Sequence, residues 1–364
     1  MNKTIILSAI CCCAALSCSV SADAQQTQRL NASKANEYGL IYTLPSTALQ
    51  ITIEAERTVR TPGEFYKYAS RYLGTSEAVA TPSESWRPVR AVITPVAIAD
   101  PDAEQYLITL KGGASPFMMV NAKGLPLTIN TDNVPDVRPA ALPQPRKASP
   151  SPLDGPDARR ALTAEMVQSS SLAKKAELAA ARIMEIRQSR NDYLTGQADQ
   201  MPDGEALKLI MSSLDSQEEA LTAMFLGTEQ TSTEVMTYTV VPNDSETNRV
   251  IARLSSTNGL VDADDLRGAP IYLNVDVIER GTLPANEKGE PRKMPKGGIA
   301  YRIPGTARVS VTFDGTTLAN GNFEIAQFGV VYGLDPSLFA NKKSPAYLIF
   351  NPLTGGISKL GTVE

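Results

Sequence analysis

The sequence predicts an α+β protein. It reads as an N-terminal β-rich domain with a short helix, a central antiparallel two-helix hairpin, and a C-terminal antiparallel β-sandwich-like domain. Three observations carry this. Residues 157–227 hold apolar residues at helical spacing. Residues 39–134 and 228–364 hold short alternating runs divided by turn residues. Residues 135–156 contain seven prolines and read as a linker between them.

The chain opens with Lys3, an apolar run from Ile5 to Leu16, and the small-residue pattern Ala22-Asp23-Ala24. This is the pattern of a secretory signal peptide over residues 1–24. Two processing routes follow from it. Cleavage after Ala24 would release a soluble protein, and lipidation at Cys18 would tether it to a membrane. The residues before Cys18, Ala15-Leu16-Ser17, lack the aliphatic side chain usual at the Ala15 position, so the first route is preferred. The expected location is the periplasm or cell envelope, with outer-membrane association in the lipidated case.

All four cysteines (Cys11, Cys12, Cys13, Cys18) precede Ala24, and the chain has no histidine. The expected mature protein therefore has no disulfides, no cysteine nucleophile, no Ser-His-Asp triad and no ordinary zinc site. No cofactor is expected, although carboxylate sites for hard metals stay open. The net charge of −4 and the lack of a basic stripe argue against nucleic acid. No later stretch is long and apolar enough to span a bilayer, so membrane contact is expected only through a lipid at Cys18.

Residues 25–38 are polar and read as a flexible segment. The β-rich domain, 39–134, follows. Leu49, Ile51, Ile53 and Ala55 alternate with polar residues, the mark of a half-buried strand. After the Pro62-Gly63 turn, Phe65, Tyr68 and Tyr72 recur at helical spacing. They read first as core, with a sugar-stacking platform as the functional alternative. A strand runs from Trp86 to Ile98. The Asp100-Pro101-Asp102 turn leads to alternating Tyr106, Ile108 and Leu110. Asn121-Ala122-Lys123-Gly124 signals a hairpin.

The helical region comes next. Leu172, Ala176, Ala179, Ile183 and Ile186 mark one face of a first helix, 157–194. Leu207, Ile210, Leu214, Leu221 and Met224 mark one face of a second, capped by Asp203 and ended by Gly227. The short turn predicts antiparallel neighbours, with Arg187 and Arg190 pinning the tip against Asp203 and Glu205. Ser169-Ser170-Ser171 is a potential break.

From Thr228 the pattern returns to strands: 235–241, 250–254, 270–279, 300–303, 307–313, 323–331, 346–351 and 357–360. Asp314-Gly315 and Asn320-Gly321 are turn dipeptides.

Several segments together resemble an uncharacterised family of Bacteroidetes envelope proteins, a domain-of-unknown-function family. They are GEFYKYASRYLG (63–74), ARIMEIRQSRNDYLTG (181–196), MPDGEALKLIMSSLDSQEEALTAMFLG (201–227), GLVDADDLRGAPIYL (259–273), GIAYRIPGTARV (298–308) and AQFGVVYGL (326–334). The resemblance spans nearly the whole expected mature chain. It implies secretion and a Gram-negative envelope setting, and it supplies no activity and no catalytic residues.

Two constellations are candidate binding sites. Asp262, Asp264 and Asp265 place three carboxylates within Gly259–Gly268. The EF-hand pattern fails there, because Leu266 and Arg267 occupy a ligand and the turn-glycine position, so a capped turn is the first reading. Tyr301-Arg302 lies among strands, where Arg302 has the fork geometry to grip a carboxylate or sugar acid. No residue stands out as catalytic or as a metal ligand. The preferred function is a non-catalytic envelope scaffold or binding protein, its partner an envelope protein or a glycan. The alternatives are a carboxylate-dependent glycan hydrolase and an assembly factor acting by β-strand addition.

Overall fold

The computed structural model describes residues 27–29, 39–100, 103–109, 117–135, 140–339 and 344–362. The signal-peptide segment, Cys18, most of residues 25–38, and Pro101, Asp102 and Leu110 lie outside the described residues.

The first part of the chain forms β1 (Thr27–Arg29), β2 (Gly39–Thr43), β3 (Ser46–Thr61), a 3-10 turn running into α1 (Ala69–Leu73), β4 (Ser83–Ile98), β5 (Gln105–Thr109), β6 (Met118–Val120) and β7 (Pro126–Ile129). Helices follow: α2 (Pro156–Ala161), α3 (Ala164–Gln168), α4 (Leu172–Thr195) and α5 (Gly204–Leu226). The remainder is β8 (Thr228–Val240), β9 (Glu246–Ser255), β10 (Gly259–Asp262), β11 (Ala269–Glu279), β12 (Ile299–Phe313), β13 (Thr316–Leu334), β14 (Ala346–Phe350) and β15 (Ile357–Thr362).

The strands make four antiparallel sheets, ordered β4-β3-β8, β10-β9-β11-β12-β13, β15-β14-β7-β6 and β1-β5-β2. The largest core joins the first two. Leu49, Ile51 and Ile53 of β3 are fully buried in one cluster with Ile271, Leu273 and Val275 of β11 and Val309 and Val311 of β12. Burying each such side chain contributes about 1.5–3 kcal/mol.

This arrangement corrects the expected α+β layout. The protein is mostly β, with several sheets and a half-barrel, and a central two-helix hairpin flanked by separate strand bodies is not its architecture. Strands from both sides of the helical region share sheets. β3 pairs with β8 from Leu49 to Thr61, and β7 pairs with β14 through Thr128 and Ile129. The reason is the apolar face of β3, which finds enough cover only against strands that follow the helices in sequence.

The helices depart from a two-helix rod as well. The expected helix 157–194 is divided into α2, α3 and α4. Leu162 is extended after α2, Thr163 caps α3 by accepting the Met166 N–H, and Ser171 caps α4 by accepting the Lys174 N–H. These hydroxyls take backbone donors at the new helix starts. The short helices then join a shared cluster. Phe65, Ala69, Ala161 and Met166 are buried with Ala176, Ile183, Leu221 and Phe225. Phe65 and Phe225 stack at 5.3 Å, so the aromatic stripe of 65–72 begins in core. Arg187 reaches Glu218, and Arg190 reaches Asp215 and Glu218, whereas Asp203 caps α5 and Glu205 pairs with Lys208. The two arginines therefore brace the flank of α5 and not its turn.

Two further strand expectations change. Asn320-Gly321 is no turn but lies inside β13, which is 19 residues long. The strands expected at 300–303 and 307–313 are one strand, β12, with a register shift between Ile303 and Gly305. Pro304 cannot donate to a ladder, and the irregularity accommodates it without ending the strand.

Candidate binding cleft

Arg302 sits on β12 opposite Val331 of β13, and both line a cleft of about 320 Å³. The other walls come from Leu44 and Ser46 around the start of β3, from Asp100, Ala103, Glu104 and Tyr106 around β5, and from Gln327 of β13. Alternation along β12 turns Tyr301 to the opposite face, where it meets Tyr332 edge-on at 6.2 Å. Burial and the neighbouring Tyr332 raise the Tyr301 pKa. The structure therefore does not bring Tyr301 and Arg302 together.

The cleft wall is held by a hydrogen-bond network that links distant parts of the chain. The Gln327 side chain accepts the Thr47 N–H at 2.9 Å and donates to the Thr47 and Pro242 carbonyls at 2.8 and 2.7 Å. The buried Thr47 hydroxyl donates to Leu353 and accepts the Ala326 N–H. The Arg302 backbone N–H donates to Gly355 at 2.9 Å, tying β12 to the turn before β15. Polar groups whose partners are supplied by the fold give a pre-organised wall.

Within this wall the Arg302 guanidinium donates from Nη1 to the Ala326 carbonyl at 3.0 Å. Its Nε is buried with no hydrogen-bond partner among the described residues. Burial lowers the Arg302 pKa, and Tyr106, Asp100 and Glu104 oppose that shift. The Tyr106 hydroxyl donates to Glu104 at 2.9 Å, and the Ser46 hydroxyl donates to Asp100 at 3.4 Å. Behind Tyr106, Tyr42 packs at 5.5 Å and donates to the Ala300 carbonyl. The cleft is thus lined by a cation, two carboxylates and two hydroxyls.

The three aspartates lie elsewhere. The Asp265 backbone N–H donates to the Asp262 carbonyl, and Arg253 braces the same loop through the Ala263 and Gly268 carbonyls. The Asp265 carboxylate is held by the Arg267 side chain and also accepts the Arg267 backbone N–H, which takes its pKa down to about 2. Asp262 and Asp264 are exposed. Asp262 and Glu234 help raise Tyr238 to about 12, although burial of the phenol is the main cause. Among the described residues no group of three acidic side chains is placed to hold a metal ion. No helix there is long and apolar enough to cross a membrane. Larger hollows of about 470 and 640 Å³ run along α5. They are more open than the Arg302 cleft, and Arg187, Arg190, Asp215 and Glu218 in the first are already paired.

A model of a domain of unknown function, DUF4831, matches residues 38–358, which covers the cleft and strands β2 to β14. The chain belongs to the DUF4831 family. No curated protein and no solved structure is matched. The match bears out the uncharacterised-family part of the resemblance, and the segments 63–74, 181–196, 201–227, 259–273, 298–308 and 326–334 all lie within the matched span.

Sequence reasoning picked out Arg302 and missed Asp100, Glu104, Tyr106, Ser46 and Gln327. Asp100 read only as a turn residue and Tyr106 only as one step of a strand. Nothing local marks them, because the cleft arises from segments about 200 residues or more apart in sequence.

Proposed function

We propose that this protein is a non-catalytic binding protein of the cell envelope and that its ligand is a neutral sugar unit of a glycan, taken in the Arg302 cleft. The observation that carries this reading is the composition of the cleft, where Arg302 shares the wall with Asp100, Glu104, Ser46 and Tyr106. A carboxylate ligand would be attracted by Arg302 and repelled by the two acids. A polyhydroxyl ligand gains from all of them, donating to the carboxylates and accepting from the guanidinium. The volume lies at the small end of ligand pockets, suited to about one or two sugar rings. The signal-like segment before Gln25 supports export.

The test is calorimetric titration of the purified protein with neutral and uronic-acid oligosaccharides. Neutral oligosaccharides are expected to bind, and Arg302→Ala is expected to weaken them by at least about tenfold. Preference for uronic acids, or indifference to Arg302→Ala, would overturn the reading.

A second reading, glycan hydrolysis, is favoured by one observation: two carboxylates, Asp100 and Glu104, line the same cleft. Release of reducing ends that is lost in both Asp100→Asn and Glu104→Gln would establish it. Binding without release is expected.

A further inference from the structure

We propose that the outer edge of β8 is a docking site for an extended, cationic segment of a partner polypeptide, which adds there as an antiparallel strand. β8 pairs with β3 on one side only, and the order β4-β3-β8 leaves its other edge without a further strand. One short piece of the proline-rich segment already lies against that edge. Arg146 forms an isolated antiparallel bridge with Thr233. The Thr233 N–H donates to the Arg146 carbonyl at 2.8 Å, and the Arg146 N–H donates to the Thr233 hydroxyl at 2.9 Å. The Gln230 side chain donates to the Ser149 carbonyl at 2.9 Å, which continues the same antiparallel register. The Arg146 side chain reaches the buried Glu54 carboxylate at 3.7 Å, beside Arg90 at 2.7 Å. The edge therefore accepts an extended segment in this orientation and reads a basic side chain at one register.

That internal segment hydrogen-bonds to the edge only around Gln230 and Thr233 among the described residues. Because the Thr233 N–H points outward, alternation turns the N–H groups of Val235, Thr237 and Thr239 outward too. None of these three donates to a backbone carbonyl outside the β3–β8 ladder among the described residues, and Thr237 and Thr239 are exposed. Apart from the bridge at Arg146, this segment makes no backbone–backbone hydrogen bond to β8 among the described residues. A guest strand that followed the edge in this register would ladder on from Thr231 to Thr239. Glu54 beside that stretch holds Arg146 of the internal segment together with Arg90, so a guest that takes the place of that segment is favoured when it brings a positive charge to the same register.

A short fluorescein-labelled peptide of alternating valine and arginine serves as the probe, with the full chain as host. It is expected to bind, to bind at least about tenfold more tightly to Arg146→Ala, in which the internal segment is loosened, and to lose binding in Thr237→Pro. Proline at 237 deletes an outward N–H and spares the backbone ladder with β3, while it removes the hydroxyl that bonds Thr52. Hydrogen exchange on the unaltered chain should show protection of Val235, Thr237 and Thr239 when the peptide is added, and this decides the matter if Thr237→Pro does not fold. Equal binding by Thr237→Pro and the unaltered chain, or protection confined to other strands, would overturn the proposal. It is independent of the Arg302 cleft, and unlabelled sugar should not compete with the peptide.

Discussion

Asp265 and Arg267 show what a single pair of residues can decide. The turn at 262–268 holds the Asp265 carboxylate against Arg267, and hydrogen bonding to that side chain is the main reason its pKa falls to about 2 from 3.8. The shift is downward, so the contribution of the pair to stability is present above the ordinary carboxylate value. It is lost as pH falls from about 4 through about 2. A carboxyl-detected NMR titration should find Asp265 near 2, with Arg267→Ala returning it toward 3.8. An unchanged value in that variant would show that Arg267 is not the cause. The sequence showed these acids as neighbours and suggested a capped turn. It did not show which of them an arginine would hold. Arg302 illustrates the same limit, since its fork chemistry is evident from its identity, but the acids that share its cleft come from the loop between β4 and β5.

Elements were legible where their signal is local. The alternation of Leu49 to Ala55 marked β3, and Asp314-Gly315 marked the turn between β12 and β13. Both residues of that turn have positive φ, 45° and 74°, as an Asp-Gly hairpin turn requires. Breaks and continuations were less legible. Thr163 and Ser171 start new helices because their hydroxyls accept the backbone N–H groups of the turn that follows. Asn320-Gly321 carries turn chemistry, yet β12 supplies a full ladder partner, with Ser310 and Val309 opposite the two residues. Pairing with a long neighbour outweighs a local turn preference. Gly329 is the clearest test of that ladder. A Cβ there would lie 2.0 Å from the Ile303 carbonyl oxygen, next to the β12 irregularity. Gly329→Ala should destabilise the protein by about 1–3 kcal/mol in denaturant unfolding. A loss under about 0.5 kcal/mol would mean that β12 and β13 separate easily at that point.

At the scale of the molecule, β3 is the centre. One of its faces closes the main core with β11 and β12, and both of its edges are paired, by β4 and by β8. A chain cut after residue 156 loses β8 and the partners that β9, β11, β12 and β13 supply to that face. Residues 25–156 expressed alone should show no cooperative thermal transition, whereas the full chain should show one. A sharp transition in the fragment would mean that the N-terminal strands form a self-sufficient core. The sequence by itself determined the side-chain chemistry of the described protein, without thiols or imidazoles, and the positions of most strands and helices, and it offered Arg302 as a candidate. Those properties follow from residue identity and from spacing over a few positions. Only the tertiary structure decided that strands on both sides of the helices share sheets, that the helices form a multi-membered cluster, and that Asp100 and Glu104 face Arg302. Hydrophobic burial is non-directional, and an apolar strand face carries no label naming its distant partner.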